Sequence, residues 1–472
     1  MGLVTSDKRE VNQSPTTSVP GCANCLRLER ELHELRAELA ELRRQINRNS
    51  GNSSLPPSAN PPWAPGRGGK KPSGRRPGGQ PGHQGHHREL LAVEEVDEVV
   101  KHKPARCRGC GAELGDAVEE QIIDRHQISE LPKRAVKVTE HQGYACRCGR
   151  CGLLSKQEIP EELTRSVLGE RLTAAVAFAS SRVHGSRRAV EELLEEVLGA
   201  PLALGTVINR EKEVTAALAE PYRQAKGAIQ QALAKNVDET GWKRAGRFLW
   251  VAATGKLAVF HLDPCRNRDA MHELLGAEVM GTICTDRYGV YQQVPIKQRG
   301  LCWSHLRRDF QELLESVPGA KAVGQAGIGV CRQVHGVWEK FKAGRMKRVG
   351  LIQQVGKVRR QMRKLLERGK RCRSRRAAQF CKDLLRWEEA LWTFARVKGI
   401  EPTNNHAERM LRPAVMWRKQ SLGSHSLQGC RFVERMMTVL QTLKLRGQSV
   451  MDYLQRAVHA LRCGLSPPPL VT

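Results

Sequence analysis

A multidomain α+β chain is predicted by three observations. Apolar residues recur at helical spacing over most of the length. A block between about 234 and 286 alternates as strands instead. A polar stretch rich in Pro and Gly separates a short N-terminal helix from everything after it. With 472 residues the chain has room for about three units of roughly 100–200 residues each, so more than one core is expected. Aromatics are only 4% of the chain, which leaves Leu, Val, Ala and Ile to fill those cores.

Residues 1–21 are polar and without period, and are expected to be disordered. From Leu28 the apolar residues fall at Leu28, Leu32, Leu35, Leu39, Leu42 and Ile46, a heptad seam with Glu and Arg on the other faces. Residues 22–50 therefore read as a short leucine-zipper-like coiled coil, suited to pairing copies of the chain. A solitary amphipathic helix docked on its own protein would give the same spacing. Residues 51–88 hold eight Pro, nine Gly, six Lys or Arg and no acid. That composition buries too little apolar surface to order itself and predicts a flexible basic linker.

Residues 89–160 read as a small β-rich module with two CxxC knuckles, Cys107–Cys110 and Cys148–Cys151, each followed by Gly. Two intervening residues let both thiolates of a knuckle meet one ion, and four thiolates suit a closed tetrahedral structural Zn²⁺ site. Cys146 is a spare that could replace Cys148. Cys22 and Cys25 form a third CxxC with no matching half nearby, and the other eight cysteines read as ordinary thiols. Such a module has a core too small to hold itself together without the metal.

From residue 164 to 233 the pattern is helical. It includes Arg187–Leu198, a Gly199-Ala200-Pro201 break and Thr206–Leu218, an order compatible with a helix-turn-helix. Strands are expected at Ala234–Glu239, Phe248–Thr254, Leu257–Leu262 and Val279–Thr285, with a helix at Asp269–Leu275. This β-β-β-α-β order is that of an RNase H-like α/β core, assigned to residues 234–455 with a C-terminal tail at 456–472. From Trp303 to about Gly399 the chain is helical throughout. Residues 340–376 carry sixteen Lys or Arg against one acid, Glu367. Asn404 and Asn405 are N-cap candidates for a helix starting near His406.

The charge balance, 78 Lys or Arg against 49 Asp or Glu, gives a formal +29. Such an excess points to a polyanionic partner, above all nucleic acid. No stretch reaches the ~18 apolar residues of a membrane span, and no hydrophobic leader follows the N-terminal Met, so a soluble chain without membrane partners is expected. Fifteen cysteines without an export signal suggest reduced thiols or metal ligands rather than disulfides.

Three carboxylates stand out: Asp238 at the end of the first strand, Asp286 at the end of the fourth, and Glu408 in the first turn of the helix after Asn405. Strand ends are where α/β proteins gather their sites. Asp and Glu oxygens suit Mg²⁺, and a pair of such ions can stabilise both the attacking and the leaving oxygen of a phosphodiester. His305 and Arg308, spaced i, i+3 on one helix face, could contact phosphate. Arg409, Arg412, Arg418 and Lys419 flank Glu408 and could fix the register of a DNA backbone.

The words around these residues carry a resemblance. Asp238-Glu-Thr-Gly-Trp242, Asp286-Arg-Tyr-Gly-Val-Tyr291, Cys302-Trp-Ser-His-Leu-Arg-Arg-Asp309, Pro402-Thr-Asn-Asn-His-Ala-Glu-Arg-Met-Leu-Arg-Pro413 and Trp417-Arg-Lys-Gln-Ser-Leu-Gly423 occur in order. Together they resemble the bacterial insertion sequence 66 transposases of the DDE class. Asn52-Ser-Ser-Leu-Pro-Pro-Ser58 and Gly78-Gly-Gln-Pro-Gly-His83 resemble the linker of that family, and the likeness spans about residues 28–455. It implies an RNase H-like core interrupted by a helical insertion at 303–400. Asp238, Asp286 and Glu408 would be its catalytic carboxylates and the ligands of two Mg²⁺ ions, replaceable by Mn²⁺. Arg287 departs from relatives, which often have a small residue after the second Asp. The resemblance implies a transposase that cleaves the ends of an insertion element and joins them to target double-stranded DNA. It would work as a homo-oligomer assembled on DNA, with small accessory proteins as helpers, in the bacterial cytoplasm and on the nucleoid. Two rivals are a catalytically silent DNA-binding repressor and a structure-specific nuclease with the same core.

Overall fold

The heptad seam folds as one helix, α1 (Ala23–Ile46). The computed structural model describes residues 23–49, 53, 90–114, 122–132, 135–151, 153–164, 166–242, 246–315, 318–421 and 424–471. The expected disordered terminus, Cys22, and the linker with its two family-like words lie outside the described residues, Ser53 apart. The seam residues Leu28, Leu32, Leu35, Leu39, Leu42 and Ile46 are all exposed, so α1 buries no apolar face against its own chain.

The cysteine module is sparse. Strands β1 (Ala145–Arg147) and β2 (Leu154–Lys156) pair antiparallel, and an isolated bridge joins Arg106 to Glu113. No described residue between 90 and 160 is buried. Among the described residues of 89–160 the β structure consists of two three-residue strands and one bridge.

A helical run follows: α2 (Glu161–Thr164), α3 (Glu170–Arg182), α4 (Arg187–Leu198), α5 (Leu204–Ala217) and α6 (Ala219–Gln231). Ser186 starts α4 by accepting a hydrogen bond from the Ala189 N–H, and Gly199 ends it in the left-handed region (φ 63°). Helix α5 begins two residues before the expected Thr206.

The sheet then forms from β3 (Ala234–Trp242), β4 (Arg247–Ala253), β5 (Ala258–Asp263), β6 (Thr282–Thr285) and β7 (Arg299–Leu301), with α7 (Arg268–Leu275) between β5 and β6. The strand order is β5-β4-β3-β6-β7. The first three pair antiparallel; β6 and β7 continue parallel to β3. Strand β7 was not expected from sequence: Arg-Gly-Leu is too short to show a period. Strand β6 starts at Thr282 rather than Val279 because Gly281 (φ 69°) carries the chain hard against Ala232 and Leu233, the link between α6 and β3. A Cβ there would lie 2.5 Å from the Leu233 carbonyl oxygen.

The helical region comprises α8 (Trp303–Glu315), α9 (Pro318–Lys342), α10 (Arg348–Gly369), α11 (Arg375–Arg386), α12 (Glu388–Leu391) and α13 (Thr393–Arg396). It has its own core, with Trp303, Phe310, Met362, Leu366, Phe380 and Trp392 among its members. Its two ends meet: the Trp303 N–H donates to the Pro402 carbonyl (2.8 Å). The excursion therefore leaves and re-enters beside β7 without spreading the sheet.

Helices α14 (Asn405–Gln420), α15 (Leu427–Arg446) and α16 (Val450–Arg462) complete the chain. Helix α15 covers the β5 edge. Glu434, Thr438 and Thr442, at i, i+4 and i+8, accept hydrogen bonds from the Leu262, Phe260 and Ala258 N–H groups. Those outward donors would otherwise be an open strand edge. The core crosses residue 233: Ala174, Val214, Leu218 and Ile229 of the helical run belong to the same cluster as Val237, Trp250 and Phe260 of the sheet. Leu470, in the expected tail, is fully buried in that cluster.

Candidate active site

Pairing register decides where the first two carboxylates stand. Strands β3 and β6 are matched Ala234 to Thr282, Lys235 to Ile283 and Asn236 to Cys284. Continuing that constant offset brings Asp238 level with Asp286 on neighbouring strands, which in a sheet run about 4.8 Å apart. Asp238 sits in the middle of β3, not at its end as the sequence suggested. The strand outlasts its expected stop at Glu239 because its antiparallel pairing with β4 runs on to Trp242 opposite Arg247. Asp286 follows directly on β6, and its Oδ1 accepts from the Tyr288 N–H (2.8 Å).

Glu408 arrives from the first turn of α14. That helix is tied to β3 by a buried amide pair. Asn404 Nδ2 donates to the Val237 carbonyl (2.7 Å), its Oδ1 accepts from Asn236 Nδ2 (3.0 Å), and its N–H donates to Cys302 Sγ (3.1 Å). Asn404 thus occupies the N-cap position but its side chain caps nothing. Alternation along β3 puts Asn236 and Asp238 on one face, so Asn404, through Asn236, fixes the start of α14 against the strand that carries Asp238.

Asp286 and Glu408 both lie within electrostatic reach of Asp238. Burial pushes the Asp238 carboxyl well above the usual aspartate range, and the charges of Glu239, Asp286 and Glu408 push it further. Burial also raises Asp286, opposed by the Tyr288 N–H and by Arg266 and Arg287. Even so, among the described residues no three His, Cys, Asp or Glu side chains are arranged to hold one metal ion.

Helix α8 faces Glu408. His305 Nδ1 and Arg308 Nη2 each lie 3.9 Å from Glu408 Oε1. Burial, with Arg308 and Arg287 adding repulsion, lowers the His305 pKa to about 3. The imidazole is therefore neutral at physiological pH and could meet a phosphate only through a neutral hydrogen bond. Its Nδ1 is buried with no hydrogen-bond partner. Arg418 reaches Thr240 Oγ1 on β3 (3.5 Å), whereas Arg409, Arg412 and Lys419 point to solvent. Arg287 turns away from the acids: its Nε pairs with Asp309 (2.9 Å) and its guanidinium lies 4.9 Å from the Phe380 ring centre.

On the opposite face of β3 stands a network the sequence did not suggest. Glu239, nearly fully buried, accepts from Arg266 and from the Tyr291 hydroxyl. The Arg266 guanidinium stacks on Tyr288 at 3.8 Å, and the Tyr288 hydroxyl donates to the Arg266 carbonyl (2.7 Å). Tyr288 in turn holds Asp286 through its N–H. Adjacent residues of a strand face opposite ways, so Glu239 leaves β3 on the face away from Asp238 and, through Arg266 and Tyr291, braces the segment that follows Asp286. The only sequence signal was the two tyrosines in the Asp286 segment, and their partner Arg266 lies twenty residues upstream.

Comparison with known proteins identifies the relationship. The family model "Transposase IS66 family" matches residues 165–431, more than half of the chain. The chain belongs to the IS66 transposase family. A second model, a family of unknown function (DUF6444), matches residues 16–89, the stretch of α1 and the linker. The chain is 24% identical over 422 residues to "Uncharacterized protein y4qI" of Sinorhizobium fredii (strain NBRC 101917 / NGR234), covering 79% of this chain and 73% of that protein. Membership implies a role in transposition, DNA as a partner and phosphodiester chemistry in general; DDE transposases use divalent metals. No helix among the described residues is long and apolar enough to cross a membrane.

The cysteine knuckles are formed as two separate loops. In the first, the Gly111 N–H donates to the Cys107 carbonyl and the Cys107 N–H to the Ala112 carbonyl; in the second, the Cys148 N–H donates to Leu153. Backbone N–H groups of Cys110 and Gly109 lower the Cys107 thiol, as those of Cys151 and Arg150 lower Cys148. Of the remaining cysteines, Cys284, Cys302, Cys331, Cys381 and Cys430 are buried.

Proposed function

We propose that this IS66-family chain is a DDE-type DNA transposase with an RNase H-like core, in which Asp238, Asp286 and Glu408 form the catalytic carboxylate set. The observation that supports this reading is the parallel register of β3 and β6, which, carried on past its last pair Asn236–Cys284, sets Asp238 opposite Asp286 just after β6, with the charges of Asp286 and Glu408 both acting on Asp238. Three acids that repel one another in a partly enclosed space fit a cationic partner, and their all-oxygen donor set fits Mg²⁺ or Mn²⁺. When bound, two such ions would lower the charge barrier to attack on a phosphodiester. The chain's own part is placement. Asp238 and Asp286 set the floor, Asn404 fixes the helix bearing Glu408, and Arg308 and Arg418 lie where they can hold the anionic backbone without reading bases. His305 adds a neutral contact, and Arg409, Arg412 and Lys419 offer outer phosphate contacts. The reaction is hydrolysis at the element end, releasing a 3′-hydroxyl, followed by attack of that hydroxyl on a target phosphodiester. The second step displaces a target 3′-oxygen and needs no covalent protein intermediate.

Asp238→Asn, Asp286→Asn and Glu408→Gln, made singly, are each expected to lose both cleavage and joining of element-end DNA while retaining DNA binding. Near-full strand transfer by any of them would remove that residue from the site. Cleavage without any joined product in the wild type would favour a nuclease.

The exposed seam of α1 supports pairing with a second copy, and α4–α5 supports recognition of element ends. Zn²⁺ would take its ligands from Cys107, Cys110, Cys148 and Cys151. The inward-turned N–H groups of each knuckle favour thiolates, and the lack of any buried described residue between 90 and 160 leaves the metal as the source of order. A zinc chelator is expected to collapse the amide NMR dispersion of residues 89–155 while leaving signals of the sheet in place. Unchanged dispersion after verified zinc removal would refute the site.

A further inference from the structure

Residues 340–376 supply a net +15 of the chain's +29, and the fold sorts these cations. Helix α10 buries Leu351, Val355, Val358, Met362 and Leu366 against its neighbours in the second core. Arg359 and Arg363, on its flank, are tied to Glu388 at the start of α12 (2.9 and 3.4 Å). Lys370 pairs with Glu367, the only acid of the segment, at the margin of the outer face. Lys357, Arg360, Lys364 and Arg368 are left exposed, and they make no ion pair among the described residues. Their spacing of 3, 4 and 4 residues places them in one stripe, roughly opposite the buried face at 100° per residue. A merely solvated helix face mixes both signs along its length; this one presents a single sign.

We infer that the outer stripe of α10, Lys357-Arg360-Lys364-Arg368, is a docking surface for the phosphate backbone of double-stranded DNA. The stripe runs ~16 Å at 1.5 Å per residue. A duplex presents one charge per ~1.7 Å of its axis over that distance, enough phosphates to engage all four cations. Fixed to a rigid helix, the cations lose less freedom on binding than those of a flexible linker would. Contacts of this kind hold DNA without choosing its sequence, which suits target DNA or DNA flanking the element better than the terminal repeats. The stripe belongs to the same excursion as α8, whose His305 and Arg308 face Glu408, so DNA held along it would be held by the body that completes the site. This inference rests on DNA being the partner, but not on the roles given to the three carboxylates.

The test uses the full chain and a 30-base-pair duplex without element sequence, titrated by fluorescence anisotropy between 50 and 300 mM NaCl. One variant carries K357Q, R360Q, K364Q and R368Q. A charge-matched control carries K256Q, K297Q, K398Q and K444Q, four exposed lysines away from α10 and from α4–α5. Each lost phosphate contact should remove ~0.9 from the slope of log K against log salt. The stripe variant should therefore lose about 3–4 slope units and bind roughly 10²-fold or more weakly at 100 mM, with the control near wild type. A stripe variant with the wild-type slope, or a control that falls as far as the stripe, overturns the assignment. Both variants should keep the wild-type melting temperature, since these side chains bury nothing. If the wild type proves unable to cleave but the stripe still carries the slope, the catalytic reading fails and this one stands.

Discussion

Asp238→Asn should melt at a higher temperature than the wild type in metal-free buffer, while losing strand cleavage by ~10³-fold or more. The loss follows from several kcal/mol of charge stabilisation at ~1.4 kcal/mol per factor of ten. The gain in stability follows from the position of the carboxyl. Its folded-state pKa is raised by burial and by Glu239, Asp286 and Glu408. A group raised in this way costs nothing below its unfolded value, near pH ~4. It destabilises the fold increasingly as pH climbs through the folded value, because the ionised form is penalised only in the native state. Asparagine never ionises. The difference in melting temperature between variant and wild type should therefore be close to zero at low pH and largest at pH 8. Each ~1 kcal/mol of relieved repulsion corresponds to roughly 2–4 °C for a domain of this size. Added Mg²⁺ should stabilise the wild type and not the variant. A variant that melts lower than the wild type at pH 8 would mean that Asp238 is stabilised by its surroundings, contrary to the site described above.

Asn404→Ala should cost about 2–4 kcal/mol of stability and reduce cleavage about 10²-fold, although the residue touches no substrate. The side chain is completely buried and joins α14 to β3 through both its amide donor and its acceptor. Truncation removes the Asn404 donor from the Val237 carbonyl and leaves the Asn236 amide only its 3.4 Å contact to the Thr403 carbonyl, and each buried group so weakened costs ~1–3 kcal/mol. It also frees the first turn of α14, and a misplacement of ~1 Å at a reacting group is enough for a 10²-fold loss. Asn236→Ala combined with Asn404→Ala should show coupling of about 1 kcal/mol or more in denaturant titrations. Additivity of the two substitutions would show that the amide pair is not the tether. A Mg²⁺ titration separates positioning from general damage. The half-saturating concentration should rise for Asn404→Ala and stay unchanged for a substitution that lowers stability equally at the β5 edge, such as Thr438→Val, where α15 accepts the Phe260 N–H.

The members of the candidate site are legible in the sequence. Asp238, Asp286 and Glu408 each stand in a distinctive run of residues, and those runs occur in order along the chain. A local expectation failed for a physical reason. Asn404 looked like a cap because it precedes a helix. It is withdrawn into the core because Val237 and Asn236, more than 160 residues earlier, offer it better partners than the helix's own N–H groups. Arg287, where relatives often have a small residue, is accommodated because Asp309 on α8 and the face of Phe380 on α11 engage its guanidinium. Glu239 sits next to a candidate metal ligand in sequence, but the alternation of a strand sends it to the other face, where Arg266 and Tyr291 claim it.

The sequence alone determined most of the elements, β7 excepted, and where the charge lies. The periods of the helices and strands, the heptad seam, the paired CxxC knuckles and the basic run at 340–376 are local or compositional facts. Only the tertiary structure decided which strands lie side by side, which arginines are already engaged and which face of α10 stays open to a partner. Those outcomes depend on strand register and on contacts between residues tens to hundreds of positions apart, and no local pattern encodes them.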